Sequence, residues 1–372
     1  MSYLRYYKRE KITLQCQTVT PMFLGNAHQE AELRSAPFKA LFRYWWRVTQ
    51  HGVQLNDLRK GEGELFGVAG EDDGSGKSQV DLQVKPISNF QPTKAGFPSL
   101  KKVDHPECQR QKFQIDPLLY LGGMGLLRGS NPLHSYFGPN AIFEISISYP
   151  PQYEDEIKTI IAFLKAFGSV GARSRNGWGS FQVLSVESKP TAKEGFEDVQ
   201  KLANLLEKQT RQWTDGLRSD FPNCLGKDNI GILLWGTEPK GTWQEAMREL
   251  ADAYIALRAR QVGNIEKLDP GNPHKENAPD ERHLLGFPLQ NHWATGKDWK
   301  KMWGKNGRHA SPLRFVVHQI NGKSRGFILH LPHGHSKRMD FPKHIDQKAV
   351  WVKVHRKLDG LLNRASYSEV LA

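Results

Sequence analysis

The chain has 372 residues, enough for two domains of ordinary size, and 38% of them are hydrophobic, which excludes a disordered chain. It contains no apolar run of about 18 residues, the length that a membrane helix needs, and its N-terminal residues lack an apolar secretory core. Its three cysteines are odd in number and lie far apart. We therefore expect a protein of the reducing cytoplasm, with no membrane partner and no cysteine metal site.

Positive charge is concentrated toward the C-terminal end. The formal net charge is +13, and the stretch from Gly296 to Arg364 contains 16 lysines and arginines against 4 aspartates and glutamates. This asymmetry favours a polyanionic partner, and the ten tryptophans favour nucleic acid over a lipid surface. The alternative is a solvated basic face that keeps the protein soluble.

A predicted strand and helix open the chain. Apolar and polar residues alternate over 11–19, which predicts a half-buried strand. A helix is predicted to begin near Ala36–Pro37, with an apolar stripe formed by Phe38, Leu41, Trp45 and Val48. Beside this stripe, three cations recur every fourth residue as a basic ridge: Lys39, Arg43 and Arg47. We interpret the ridge as a phosphate platform, although solvent-facing cations would produce the same pattern.

The first 190 residues are predicted to contain four strands and two helices. An irregular insertion at 52–138, which holds one short strand, is followed by alternation at 143–149 and helical spacing at 157–167. A fourth strand begins at Phe181. The order βαββαβ predicts a ferredoxin-like domain over residues 1–190, whose sheet is a common platform for single-stranded RNA.

The rest of the chain is predicted to use the same arrangement again. Residues 191–228 form a helical connector, whose helix starts at a capping box at Thr191–Glu194 and extends to Trp213. Residues 229–372 form a second ferredoxin-like domain, strongly basic from residue 296, with a weak or absent last strand. Asn321–Gly322 predicts a tight hairpin within it. The predicted fold class is α+β, with two ferredoxin-like (RRM-like) βαββαβ domains and long loop insertions.

The glycine-rich segment 168–180 lies between the second helix and the fourth strand of the predicted first domain. It contains four glycines, two arginines and one tryptophan. Glycine lets backbone amides approach a phosphate, arginine matches phosphate oxygens, and tryptophan offers a flat face to a base. We predict that RNA is bound here by Gly171, Arg173, Ser174, Arg175, Asn176 and Trp178.

A second stretch mixes cations with tryptophans near residue 300. The cations predicted to contact RNA phosphates here are Lys297, Lys300, Lys301, Lys305 and Arg308. Trp293, Trp299 and Trp303 are interleaved with them and have faces on which bases can stack. Trp299 and Trp303 are also four residues apart, so burial on one short helix explains them as well, and we favour burial for the tryptophans.

Histidines are the candidates for catalysis and for metal binding. Metal-independent RNA cleavage needs a base for the 2′-hydroxyl and an acid for the leaving oxygen, and His28 and His51, before and after the first helix, are weak candidates. His330, His333 and His335 have zinc-binding side chains, but no acid or cysteine accompanies them, so an exposed basic loop is favoured. We therefore predict no catalytic residue, no metal and no cofactor.

Three segments, taken together, resemble the RAMP superfamily of CRISPR systems, most closely the first RAMP subunit of the type III-B (Cmr) effector complex. These segments are Thr18–Gly25 with Ala31–Arg34, the helix Phe38–Arg47, and Gly171–Gly179. The resemblance implies a subunit that holds guide RNA near its 3′ end, together with target RNA, beside other RAMP subunits in antiviral defence.

The resemblance also carries over binding residues. The family's basic helix corresponds to Lys39, Arg43 and Arg47, and its loop cations correspond to Arg173 and Arg175; Arg34 joins them as a predicted RNA contact. The family's subunit of this kind does not cut the target, which implies a non-catalytic role. Two alternatives stay open: an endoribonuclease that processes guide-RNA precursor without a metal, and a subunit-interaction protein with little RNA contact.

Overall fold

The computed structural model describes residues 8–28, 30–68, 76–104, 114–123, 125–128, 131–189, 196–258, 281–286, 309–335 and 345–372. Two four-stranded antiparallel sheets, one in each half of the chain, form the centre of the described residues, and helices pack against them. The predicted α+β class is therefore confirmed. None of the described helices is both long and apolar enough to cross a lipid bilayer.

The first sheet has the strand order β4-β1-β3-β2. Its strands are β1 (Glu10–Thr18), β2 (Asp81–Ser88), β3 (Ile142–Tyr149) and β4 (Phe181–Lys189). Side chains alternate between the two faces of a strand, so Ile12, Leu14 and Cys16 of the central β1 all point into the core. The strands predicted over 11–19 and from Phe181 onward are both confirmed.

Two helices cover the buried face of this sheet. They are α1 (Ser35–Val48) and α4 (Glu154–Phe167). This half of the chain also contains α2 (Leu55–Phe66) and α3 (Pro117–Gly122). Phe38 of α1 contacts Phe143 of β3, with ring centroids 5.4 Å apart, and Trp45 of α1 stacks on Phe163 of α4 at 4.7 Å. The predicted apolar stripe of α1 is thus buried, which leaves its basic residues on the outer side.

The predicted insertion at 52–138 consists largely of short paired segments. Besides α2, β2 and α3, it contains three antiparallel pairs of two-residue strands. These pairs are Pro92–Thr93 with Tyr136–Phe137, Val103–Asp104 with Gln114–Ile115, and Leu127–Arg128 with Asn131–Pro132.

The connector differs from its prediction. Helix α5 (Val199–Lys208) is capped at its N-terminus by Asp198, whose carboxylate accepts the backbone N–H of Lys201 at 3.0 Å. The predicted capping box at 191–194 lies outside the described residues. Trp213 does not lie on α5, because the chain first forms a strand, Thr210–Gln212, that pairs in parallel with Leu225–Lys227. Trp213 instead begins the one-turn helix Trp213–Gly216.

The second sheet has the strand order β6-β7-β5-β8. Its strands are β5 (Leu234–Gly236), β6 (Leu313–Ile320), β7 (Lys323–His330) and β8 (Asn363–Arg364). The helices of this half are α6 (Trp243–Arg258), α7 (Gln347–Asp359) and α8 (Tyr367–Leu371), and a short 3-10 helix lies at Glu281–Leu285. With strands counted within each half, both sheets have the order 4-1-3-2. The predicted Asn321–Gly322 hairpin is confirmed, with positive φ at both residues.

The two sheets meet where the edge strand β6 faces the segment around β4. Phe315, Val317 and Gln319, at alternate positions of β6, donate backbone N–H groups across this boundary. The acceptors are the carbonyl of Arg175 at 2.8 Å, Oγ of Ser180 at 3.1 Å and Oε1 of Gln182 at 3.3 Å. The open edge of the second sheet is therefore closed by residues 175–182, which form the junction between the halves.

Candidate RNA interface

The glycines of segment 168–180 bring the protein's own backbone together. Gly171 and Gly179 have φ of +99° and +64°, a left-handed conformation that favours glycine. A Cβ atom on Gly171 would lie 2.5 Å from the Phe23 carbonyl oxygen, and one on Gly179 would lie 1.9 Å from that of Val170. These internal contacts require glycine whether or not a phosphate is bound, so the role of these glycines toward a phosphate stays a prediction.

Trp178 is fully buried at the junction of the two halves. Its ring lies 5.9 Å from Phe23, 5.5 Å from Phe97 and 6.2 Å from Trp243 of α6, measured between ring centroids. Because these rings come from three separate parts of the chain, Trp178 forms part of the core that joins them. The prediction that Trp178 stacks on a base is wrong, since no face of the indole is open to a ligand.

The polar residues of the segment also make internal contacts. The side-chain amide of Asn176 donates to the Leu121 carbonyl at 2.8 Å, and the Ser174 carbonyl accepts from Oγ of Ser169 at 3.0 Å. Arg173 has φ of +57°, and its guanidinium lies near Gly125. The segment is thus a folded turn whose arginines, rather than its amides, are the groups suited to a ligand.

Arg175 and Arg314 bring two positive charges to the ring of Tyr44 on α1. Their guanidinium carbons lie 5.8 Å and 5.3 Å from the Tyr44 centroid, and Arg314 also lies 4.9 Å from that of Trp45, distances typical of cation–π contacts. Arg314 is only 4% exposed and donates through Nη2 to the carbonyl and Oγ of Ser169, at 3.1 Å and 2.8 Å. Arg175 is half-buried and forms the outer part of this pair.

No carboxylate among the described residues forms an ion pair with Arg175 or Arg314. Burial lowers the pKa of Arg314 to about 10; Tyr44 opposes this shift, and the positive charge of Arg175 adds to it. Arg314 nevertheless remains protonated at neutral pH. Two adjacent, uncompensated cations make this place attractive to an anion such as a phosphate.

The basic ridge of α1 is partly neutralised by an acid that the sequence did not point to. Nε of Arg43 and Nε of Arg47 each lie 2.5 Å from an oxygen of Glu62 on α2. Burial alone would raise the pKa of Glu62, but the hydrogen bonds from Arg47 and Arg43 outweigh it and lower that pKa. Among the described residues, the predicted ridge therefore has one cation, Lys39, without a hydrogen-bonded acid, and two that are already paired.

The ridge and Arg175 lie on neighbouring sides of the exposed face of α1. Successive residues of a helix point about 100° apart, so Tyr44, beneath Arg175, is about 100° around the axis from Arg43. The small, exposed Ala40 lies between these two directions. Burial lowers the pKa of Lys39, the Arg43 charge lowers it further, and Asp81 opposes both. Lys39 and Arg175 therefore lie on either side of one strip of helix surface that a phosphate backbone can reach.

Replacing Glu62 by glutamine is expected to destabilise the protein and to strengthen RNA binding. The variant loses the charged hydrogen bonds to Arg43 and Arg47, at a cost of about 1–2 kcal/mol near pH 7, because the arginines are partly solvated. Since the Glu62 pKa is depressed on folding, its contribution exists above the ordinary value of 4.5 and disappears as pH falls through the folded value. Urea titrations at several pH values measure this.

Glu144→Gln is the matched control for this variant. Glu144 pairs with Lys85 at 2.9 Å on the exposed sheet, where such a pair contributes little. RNA affinity that is higher in Glu62→Gln than in Glu144→Gln would confirm that Glu62 masks the ridge. Equal affinities would show that the ridge does not contact RNA.

The outer face of the first sheet does not carry a stacking platform. The residues that point outward from the described strands include Lys11, Thr13, Gln15 and Gln17 of β1, and none of their cross-strand neighbours is aromatic. They pair with one another instead: Thr13 with Ser146 at 3.4 Å, and Gln17 with Gln182 at 3.2 Å. Stacking of bases on this sheet, as in RRM-type folds, has no support here.

The weak catalytic candidates are exposed residues on either side of α1. His28 lies in the loop before the helix and His51 directly after it, and the 14-residue helix is roughly 21 Å long. Arg34, just before the helix, donates to the carbonyl of Gly25. Lys297, Lys300, Lys301, Lys305 and Arg308 lie outside the described residues.

The prediction of an exposed basic loop at His330, His333 and His335 is wrong for the first two residues, which are 0% and 4% exposed. His330 stacks on Trp351 at 4.0 Å and shares a 2.9 Å hydrogen bond with His355. Burial lowers the pKa of His333 to about 3, assisted by His309 beside it. These histidines are therefore neutral core residues, and within the described ranges no three His, Cys, Asp or Glu side chains cluster as metal ligands.

Comparison with known proteins agrees with this architecture. The sequence model of the RAMP superfamily matches residues 15–182, which contain α1 and the glycine-rich segment. This match agrees with the resemblance to the RAMP superfamily that the sequence predicted. The chain is also similar to the CRISPR system Cmr subunit Cmr1-1 of Pyrococcus furiosus, with 24% identity over 344 residues, which cover 86% of each chain.

Two solved structures extend this comparison. The crystal structure of Cmr1 from Pyrococcus furiosus, in its apo form, matches with a TM-score of 0.50 and 19% identity over 96% of this chain and 98% of that one. A chain in the cryo-EM structure of the type III-B Cmr-beta bound to cognate target RNA matches with a TM-score of 0.48 and 13% identity, covering 95% and 100%. The first of these supports the overall fold.

Proposed function

We propose that this chain is a structural, non-catalytic, RNA-binding subunit of a type III-B CRISPR ribonucleoprotein. It holds guide RNA near its 3′ end, together with target RNA, beside other RAMP subunits in antiviral defence. The match of residues 15–182 to the RAMP superfamily and the similarity to Cmr1-1 over 86% of the chain support this assignment. The order 4-1-3-2 in both sheets supports a chain of two ferredoxin-like domains.

The observation that carries RNA binding is the pair Arg175 and Arg314 beside Tyr44. A buried guanidinium with no carboxylate partner among the described residues favours an anion nearby, and Arg175 offers the accessible donors for it. Lys39 lies on the same strip of α1 surface, and Arg173 lies two residues before Arg175. We infer that successive RNA phosphates follow this strip; base stacking on Trp178 is not part of the proposal.

Replacing Arg173 and Arg175 together by alanine is expected to weaken binding of single-stranded RNA by about tenfold to a hundredfold. Each lost phosphate contact also reduces the slope of log K against log salt by about 0.7, so the double variant should lose about 1.4. Fluorescence anisotropy at several salt concentrations measures both quantities.

The matched control removes two exposed arginines elsewhere, Arg218 and Arg356, and so makes the same change in net charge. If both double variants bound RNA equally well, the role assigned to the segment would be wrong. The same reactions test the non-catalytic role: full-length RNA is expected after incubation without divalent ions. A discrete product that disappears in His28→Ala or His51→Ala would contradict it.

A further inference from the structure

A groove between α4 and α5 shares no residue with the candidate RNA interface. Its volume is about 340 Å³, and its floor is formed by the apolar side chains of Phe196, Leu202 and Leu205. Phe196 and Leu202 are buried at this floor, and Leu205 is partly exposed. An open apolar depression of this size accepts one or two side chains of a partner.

Lysines form the rim of this groove. Lys201 and Lys208 of α5 and Lys158 of α4 line it, and no acidic residue of the described chain does. Lys158 pairs with Glu154 at 2.7 Å, and the carboxylate nearest to Lys201, that of Asp198, is 3.9 Å away. Lys208 has no ion pair with any carboxylate of the described chain. The rim therefore has positive charge available to a partner, above an apolar floor.

The spacing of the two α5 lysines restricts what fits. Lys201 and Lys208 are seven positions apart, so they lie on the same side of α5, about 10.5 Å apart along its axis. Carboxylates seven residues apart on a second helix match this distance, and an apolar residue between them would reach the partly exposed Leu205. An acidic amphipathic helix thus satisfies both the charge and the shape of the groove.

Two other kinds of ligand fit less well. A nucleic-acid base needs an open aromatic face, whereas Phe196, the aromatic residue of the floor, is only 3% exposed. A small molecule usually needs convergent buried polar groups to orient it, and the polar groups of this groove lie on its rim.

We propose that the α4–α5 groove docks another subunit of the ribonucleoprotein through an acidic amphipathic helix. The inference rests on the proposed function, because it takes the partner from the same complex. An apolar side chain of the partner occupies the floor, and carboxylates on either side of it pair with Lys201 and Lys208.

The test is the variant Lys201→Glu with Lys208→Glu, studied in the assembled complex. The complex is purified through a tag on a different subunit, and the amount of this chain in it is measured by quantitative mass spectrometry. Charge reversal is expected to reduce incorporation by about tenfold or more, since like charges then face each other. Affinity of the free chain for single-stranded RNA should stay within about twofold, because the groove lies outside the RNA interface.

Two further variants make the result specific. Lys227→Glu with Lys323→Glu changes the charge equally at exposed sites outside the groove and should be incorporated normally. Lys201→Arg with Lys208→Arg keeps the positive rim and should also be incorporated. The proposal is overturned if the charge-reversed groove variant is incorporated as well as its control, or if its RNA affinity falls in parallel with incorporation. Absence of the unmodified chain from the complex would instead refute the proposed function itself.

Discussion

Replacing Gly179 by alanine is expected to destabilise the protein by more than about 4 kcal/mol, a large part of the roughly 5–15 kcal/mol by which native proteins are usually stable. The new Cβ would lie 1.9 Å from the Val170 carbonyl oxygen, and backbone cannot yield as a flexible side chain can. The left-handed φ of +64° adds about 1–2 kcal/mol for any L-residue. Urea unfolding, followed by tryptophan fluorescence, measures the loss.

Gly52→Ala separates the two causes. Gly52 has a similar φ of +77°, but a Cβ there has no heavy atom within 4 Å. The Gly52→Ala variant should therefore lose only the stability that an L-residue loses in the left-handed conformation, about 1–2 kcal/mol. Equal losses in the two variants would mean that the close approach of Gly179 to Val170 does not hold segment 168–180 in place.

Replacing Trp178 by alanine is expected to cost about 3–5 kcal/mol, the usual effect of removing a large aromatic side chain from a core. Phe23, Phe97 and Trp243 would then line a cavity at the junction of the two halves. Thermal and urea unfolding measure the loss of stability. The RNA affinity of the folded fraction should not change, because the indole offers no open face.

Trp178→Phe is a more conservative substitution at the same position. The indole Nε1 of Trp178 is buried with no hydrogen-bond partner in the described part of the chain, so phenylalanine removes no hydrogen bond seen there and leaves a smaller cavity. A loss below about 2 kcal/mol is expected. A drop in RNA affinity without any loss of stability in Trp178→Phe would contradict the core role and restore base stacking.

The elements of the first half could be predicted because their signals are local. Alternation in β1 and β3 and the helical stripe of α1 depend on residues a few positions apart, and the structure has them at the expected places. The connector helix was predicted too long, because the strand Thr210–Gln212 is stabilised by a partner at Leu225–Lys227. Strand pairing of that kind leaves no mark in the periodicity of the helix before it.

The candidate site was only partly predictable. The sequence indicated Arg175, but Tyr44 and Arg314 approach it from positions more than a hundred residues away on either side. One signal was present, since Arg314 is a lone charge in the apolar run Leu313–Val317. No sequence signal indicated Glu62, because its pairing with Arg43 and Arg47 depends on how α2 packs against α1. Composition shows how many cations exist, whereas packing decides which of them are free.

The closed edge of β6 determines how this protein can be divided. Three of its N–H groups find their acceptors in residues 175–182, which belong to the other half of the chain. A fragment that begins after the connector would present a bare strand edge, and bare edges recruit strands from other copies. Fragments cut at the connector should therefore aggregate when expressed singly and recover solubility when co-expressed, because each completes the other's hydrogen bonding.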